Sequence, residues 1–176
     1  MQTLRSPSYL NEKVQDADGT LRPTERSIVA RREYYSELSK LRAPMEQLPA
    51  HLDPKHNPNA PQMQFGIPVT AANIIKFTRR NQLLSPEVIA EEDPEYPIDE
   101  WTCLAPFMRH LRKMTGGCLC IQPVFDPTGQ LWAIAFYDNY TIDSLKYPDA
   151  REKKIVETLH GILGTSDPPM WYWGPT

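Results

Sequence analysis

The chain has 176 residues, 40% of them aliphatic, aromatic or cysteine, and a formal net charge of −3. That length holds one domain with a real core plus extended arms, the apolar share excludes a chain disordered throughout, and the slightly acidic balance argues against a broad nucleic-acid-binding face. Three cysteines, an odd number, exclude a disulfide framework.

No apolar run approaches the roughly 20 residues that a bilayer-spanning helix needs, and the stretch Met1–Pro7 lacks the hydrophobic segment of a signal peptide. The expectation is an intracellular protein, cytoplasmic or nuclear, with no membrane partner. Residues 1–23 are polar, with a turn at Asp18-Gly19, and read as an extended arm. Thr24 caps a helix running to Arg42, on which Ile28, Tyr35, Leu38 and Arg42 form one stripe suited to docking on its own domain or on a partner. Residues 43–68 hold six prolines and two histidines and read as a linker or surface-wrapping loop. This divides the chain into an arm and helix (1–42), a proline-rich linker (43–68) and a domain (69–176). Strand candidates near Met63–Val69 are weak in the pattern.

Within 69–176, Thr70 caps a helix carrying Ile74, Ile75 and Phe77 and closing at Arg79-Arg80-Asn81. Ser85-Pro86-Glu87 starts a short second helix: a serine cap, proline at the first helical position and an acid suited to the dipole. The acidic segment from Glu91 to Glu100 reads as a solvated loop. A third helix spans about Asp99 to Met114, with Trp101, Leu104, Phe107, Met108 and Leu111 inward, Pro106 as a kink or the true start, and Gly116-Gly117 as its end.

The clearest fold signal follows. Cys118–Phe125 and Leu131–Tyr137 are apolar runs of strand length around Asp126-Pro127-Thr128-Gly129, a turn sequence. Neither run alternates cleanly, so both faces are expected to be covered. Pro123, lacking a donor, belongs beside a bulge or on an unpaired edge. Asp149 and Glu152 fit a capping box for a helix with Ile155, Val156, Leu159, Ile162 and Leu163 on one side, closed by Gly164. The fold class expected is α+β: a small antiparallel sheet centred on the 118–137 hairpin with helices packed on it.

The segment Pro123-Val-Phe-Asp-Pro-Thr-Gly-Gln-Leu-Trp-Ala-Ile134, set between two helices, resembles the C-terminal half of GAF-type sensory domains found in fungal and bacterial signalling histidine kinases. The resemblance covers residues 101–164. It implies a GAF/PAS-like sheet and a sensory role, and it carries over no chromophore, cyclic-nucleotide, kinase or phospho-acceptor residue.

Candidate chemistry is sparse. Cys118 and Cys120, two apart on one strand, could meet His110 as metal ligands or as a thiol–imidazole pair, although buried strand cysteines are commonly inert. Arg79-Arg80 and Arg31-Arg32 could grip phosphates, yet the first pair also suits a helix C-terminus and the second a solvated helix face. His51 and His56 sit in a polar loop with no nucleophile beside them. Trp171-Tyr172-Trp173 either folds back over the sheet or anchors a partner protein, being rich in hot-spot residue types. The reading is a non-catalytic sensory or interaction module binding a small molecule or a protein, with Arg79, Arg80, Cys118, Cys120 and His110 as ligand candidates and Trp171, Tyr172 and Trp173 as partner candidates. Its rivals are a small thiol- or metal-dependent enzyme and a structural subunit, including a homo-oligomer. No cofactor or catalytic residue is assigned.

Overall fold

The structure, a computed structural model, describes residues 8–15, 19–90, 92, 97–125 and 131–174. The chain divides into two compact units, Met1–Ala43 and Pro44–Thr176.

In the first unit, strands β1 (Lys13–Gln15) and β2 (Leu21–Pro23) pair antiparallel, and helix α1 (Glu25–Leu41) follows directly. Thr24 caps it as the sequence predicts, accepting the Ser27 amide at 3.1 Å. Where an extended arm is expected, the chain instead folds back on the helix. Ser27 Oγ donates to Leu10 O at 2.7 Å, and Arg31 Nε reaches the same carbonyl at 2.8 Å. Arg31 is thereby spent on the fold rather than on a phosphate. The expected helix stripe is also displaced: Ser27, Ala30 and Leu38 are buried, whereas Ile28 and Tyr35 are exposed.

The second unit is α+β, built on a four-stranded antiparallel sheet. Its elements are β3 (Met63–Thr70), α2 (Ala71–Arg80), α3 (Pro86–Ala90), α4 (Glu100–Thr115), β4 (Cys120–Pro123), β5 (Leu131–Asp138), α5 (Ile142–Leu145), α6 (Asp149–Leu163) and β6 (Met170–Trp173). The strand order β4-β5-β3-β6 makes two interleaved β-α-β units, each pair of parallel strands admitting one strand of the other unit between them. The centre of the sheet is therefore β5 with β3, and the predicted hairpin forms one side of it. Its turn, Asp126 to Gly129, lies outside the described residues. Pro123 sits on edge strand β4, where a residue without an amide hydrogen does no harm. The opposite edge, β6, is shielded by a two-bond bridge between Met45 and Trp171, at 3.0 and 2.7 Å.

Residues expected as a linker are part of this unit. Those after Gln62 become the central strand β3, and the stretch before it is held down by one buried side chain. Asn139 donates from Nδ2 to Leu52 O (2.8 Å) and Pro61 O (2.9 Å), and its Oδ1 accepts from the Met63 amide (2.9 Å). Leu52 is thereby inserted into the core. Local backbone turns, such as Leu52 N to Pro49 O and Asn57 N to Asp53 O at 2.9 Å each, satisfy much of the rest of the loop.

All the long helices of the unit lie over one sheet face. Ile74 of α2, Phe107 and Leu111 of α4, and Ile155 and Leu159 of α6 share one cluster with Ile67, Val69, Trp132 and Ile134. Two helix starts are capped by side chains as the sequence predicts: Thr70 accepts the Asn73 amide (3.2 Å) and Ser85 that of Val88 (3.5 Å). Asp99, just before α4, accepts the Thr102 amide at 2.9 Å. Two details differ. Trp101 stays 64% exposed, edge-on to Trp132 at 5.0 Å, because Cys103 and Phe107 take the inward positions. Helix α6 starts without a capping box: the Pro148 carbonyl takes the Arg151 and Glu152 amides, and the Glu152 carboxylate accepts instead from Tyr137 Oη at 3.3 Å.

The C-terminal aromatics complete the core. Trp171, Tyr172 and Trp173 are 4%, 4% and 7% exposed on β6. Of the two expectations for these rings, they fold back on the sheet and are buried by it. On the helix face Tyr137, Phe65 and Trp171 make a row across three strands, with ring centroids 5.1 and 5.2 Å apart.

Candidate functional site

Side chains alternate across a strand, so residues facing away from the helices can be read off the register. They are Gln64, Gly66 and Pro68 on β3, Ala133 and Ala135 on β5, Cys120 and Gln122 on β4, and Met170 and Tyr172 on β6. The centre of this second face is small by necessity. A Cβ on Gly66 would lie 2.3 Å from Ile134 O and 2.8 Å from Ala135 Cα. At that point Phe136 bulges out of register, Phe65 pairing with Tyr137 but Gly66 with Ala135. Val124, Ala133 and Tyr172 pack together over one part of the face. There the Phe125 amide donates to Trp173 O at 2.7 Å, joining the ends of the two edge strands.

Beyond the bulge the face is polar and open. A hollow of about 460 Å³ is lined by Gln62, Gln64 and Asp138 on one side, Arg112 and Gln122 on the other, and Phe136 behind. That volume lies within the usual range of small-molecule sites. Asp138 is fully engaged: Oδ1 accepts from the Tyr140 amide (2.9 Å), the Thr141 amide (2.8 Å) and Thr141 Oγ1 (2.8 Å), and Oδ2 accepts from Gln62 Nε2 (2.8 Å). Arg112 Nε donates to Leu119 O at 2.7 Å. Gln64 differs from both. The residue is only 6% exposed, yet its side-chain amide has no hydrogen-bond partner among the described residues. The amide atoms themselves are not sealed from solvent, so they face the hollow as open donors and an acceptor.

The candidates drawn from the sequence scatter over the unit. Cys118 and Cys120 both line the hollow, Cys118 exposed and Cys120 half-buried. His110 is not with them. It lies on α4 edge-on to Phe77, with ring centroids 5.6 Å apart. Among the described residues no group of three or more His, Cys, Asp or Glu side chains could hold a metal ion. Burial raises the Cys120 thiol above its ordinary range, which the nearby Arg112 charge offsets only in part. A nucleophilic cysteine needs the opposite shift.

Arg79 is taken by Glu92, with Nη1 at 3.1 Å from Oε2 and a second contact through Nη2. Arg80 and Lys76 line a different cleft of about 290 Å³ between α2 and the end of α6. Both helices present their C-terminal ends there, and cations at such ends match the carbonyl dipoles. His51 and His56 lie on the loop before β3, where His56 Nδ1 is 3.6 Å from Asp53 Oδ2. The candidate residue that sequence reasoning missed is Gln64. Its strand was masked by six prolines around it, and a glutamine one residue after Met63 announces nothing until the register places it beneath a hollow.

No family model, curated protein or solved structure matches this chain. Among the described residues no helix is long and apolar enough to cross a membrane.

Proposed function

We propose that the protein is a non-catalytic binding module that takes a small polar molecule into the hollow on the second sheet face. One observation carries this reading: the unpartnered amide of Gln64, buried on the central strand and facing the hollow. An amide supplies two donors and an acceptor, so a ligand that pairs with it replaces solvent at these groups with directed hydrogen bonds. The raised Cys120 thiol and the separation of His110 from both cysteines speak for binding rather than thiol chemistry.

Native mass spectrometry on protein purified from its own source tests the proposal. The expected result is a co-purifying small molecule on the wild type that a folded Gln64→Leu variant lacks. A wild-type protein without any adduct, whose Gln64 side-chain amide resonances also stay fixed through a fragment screen, would overturn it.

A further inference from the structure

On the footing that the hollow is a ligand site, we propose that its ligand carries a carboxylate, gripped by Arg112, and a secondary amide that reaches Gln64. The chemical class is a small N-acyl amino acid.

Arg112 stands in the last turn of α4. Its Nε–H is tied to Leu119 O at 2.7 Å, which fixes the plane of the guanidinium. The two terminal nitrogens have no hydrogen bond or ion pair among the described residues. A planar fork with a free edge matches a carboxylate through two parallel bonds, a geometry that a lysine cannot offer. Complementing the helix dipole explains the position of the charge, but the two terminal nitrogens without a partner, on a side chain that lines the hollow, are left over.

The charge has no counter-ion within the hollow. Asp138, the one carboxylate lining it, has both oxygens occupied by Gln62, Tyr140 and Thr141. An anion therefore meets an unneutralised guanidinium, whereas a cationic ligand meets an acid already saturated with donors. The second unfilled group is the Gln64 amide, and a secondary amide presents the donor and acceptor that it lacks. Phe136 and Leu145 provide apolar wall for a short side chain between the two polar ends. The cleft beside Lys76 and Arg80 has no such arrangement: its cations face two helix C-termini, whose carbonyl dipoles they complement.

The test titrates ¹⁵N-labelled protein with N-acetylleucine and, separately, with N-acetylleucinamide, the same molecule without the charge. N-acetylleucine is expected to shift the Gln64 side-chain amide and the Arg112 Nε–H resonances, and to bind at least tenfold more tightly than the amide. Arg112→Gln is expected to bring its affinity down to that of the amide while leaving the amide's unchanged. Arg112→Lys, which keeps the charge and loses the fork, is expected to fall between, and it serves if the glutamine variant does not fold. Equal binding of the two compounds, or preference for the uncharged one, overturns the carboxylate while the hollow stands as a site. No shift at Arg112 or Gln64 with either compound overturns it too, and a wild-type protein with no co-purifying mass would then remove the hollow as well.

Discussion

The two faces of the second unit's sheet use the same four strands for opposite ends. Toward the helices stand large apolar and aromatic groups, Ile67, Val69, Trp132, Ile134 and the row Tyr137–Phe65–Trp171. Away from them stand Gly66, Ala133 and Ala135, then the polar end with Gln64, Gln122 and Asp138. The first face stabilises: each large side chain removed from water contributes about 1.5–3 kcal/mol before entropy is charged against it. The second face buries less and leaves polar groups, the Gln64 amide among them, open toward a hollow. That difference in chemistry between the two faces is what the binding proposal rests on.

The comparison can be broken most forcefully on the helix side. Trp171→Ala removes one end of the aromatic row and is expected to cost about 3–5 kcal/mol, read from denaturant midpoints. It also decides the role of the C-terminal strand, since a variant that keeps full stability and loses only association would restore the aromatics as partner anchors. Next in size is Gly66→Ala. The added methyl meets the backbone of Ile134 and Ala135, which cannot swing aside, so a loss of about 1–3 kcal/mol is expected. An unchanged midpoint would mean that the two central strands are farther apart than described.

Gln64→Leu should do much less to stability. Its amide has no protein partner to lose and is open to the hollow, so the midpoint without ligand is expected to move by no more than about 0.5 kcal/mol, while ligand binding is lost. The contrast in size between positions 64 and 66, two residues apart on one face, is the sharpest check that position 64 serves binding and not packing.

The smallest effect is on pH dependence and belongs to the helix face. Burial lifts the Glu152 carboxyl above its ordinary value of 4.5, and the Tyr137 hydroxyl that donates to it pulls back the other way. A carboxyl raised in the folded state binds its proton more tightly there than in the unfolded chain. Its contribution is thus complete below pH 4.5 and is lost as the pH climbs from there through the raised value. Glu152→Gln keeps the hydrogen bond and removes the titration, so stability measured upward from pH 4.5 should fall less steeply than in the wild type. A steeper fall in the variant would reverse the assigned direction.

Local chemistry was legible wherever a short-range rule sufficed. Thr24 and Thr70 cap their helices through bonds three residues long, and Gly116 and Gly164 end α4 and α6 at φ 62° and 67°, in the left-handed region open to glycine. Strand-forming character between Cys118 and Tyr137, the α+β class and the placing of Pro123 followed from composition and from the missing amide hydrogen. Where sequence reasoning failed, the deciding partner was remote. Asn139 turns a proline-rich stretch into structure through bonds to Leu52, Pro61 and Met63, 76 to 87 residues away along the chain. Cys118, Cys120 and His110 lie within one short segment, but the packing of α4 on Phe77 turns the imidazole away from the thiols.

The sequence by itself therefore determined the helix ends, the strand-forming runs and the mixed class, because caps, glycines and β-branched runs act over a few residues. Only the tertiary structure decided the strand order, the burial of Trp171–Trp173 and the isolation of Gln64. Those depend on which distant segments come to lie side by side, and an amide on a strand comes to face a hollow only when the register of its neighbours places it there.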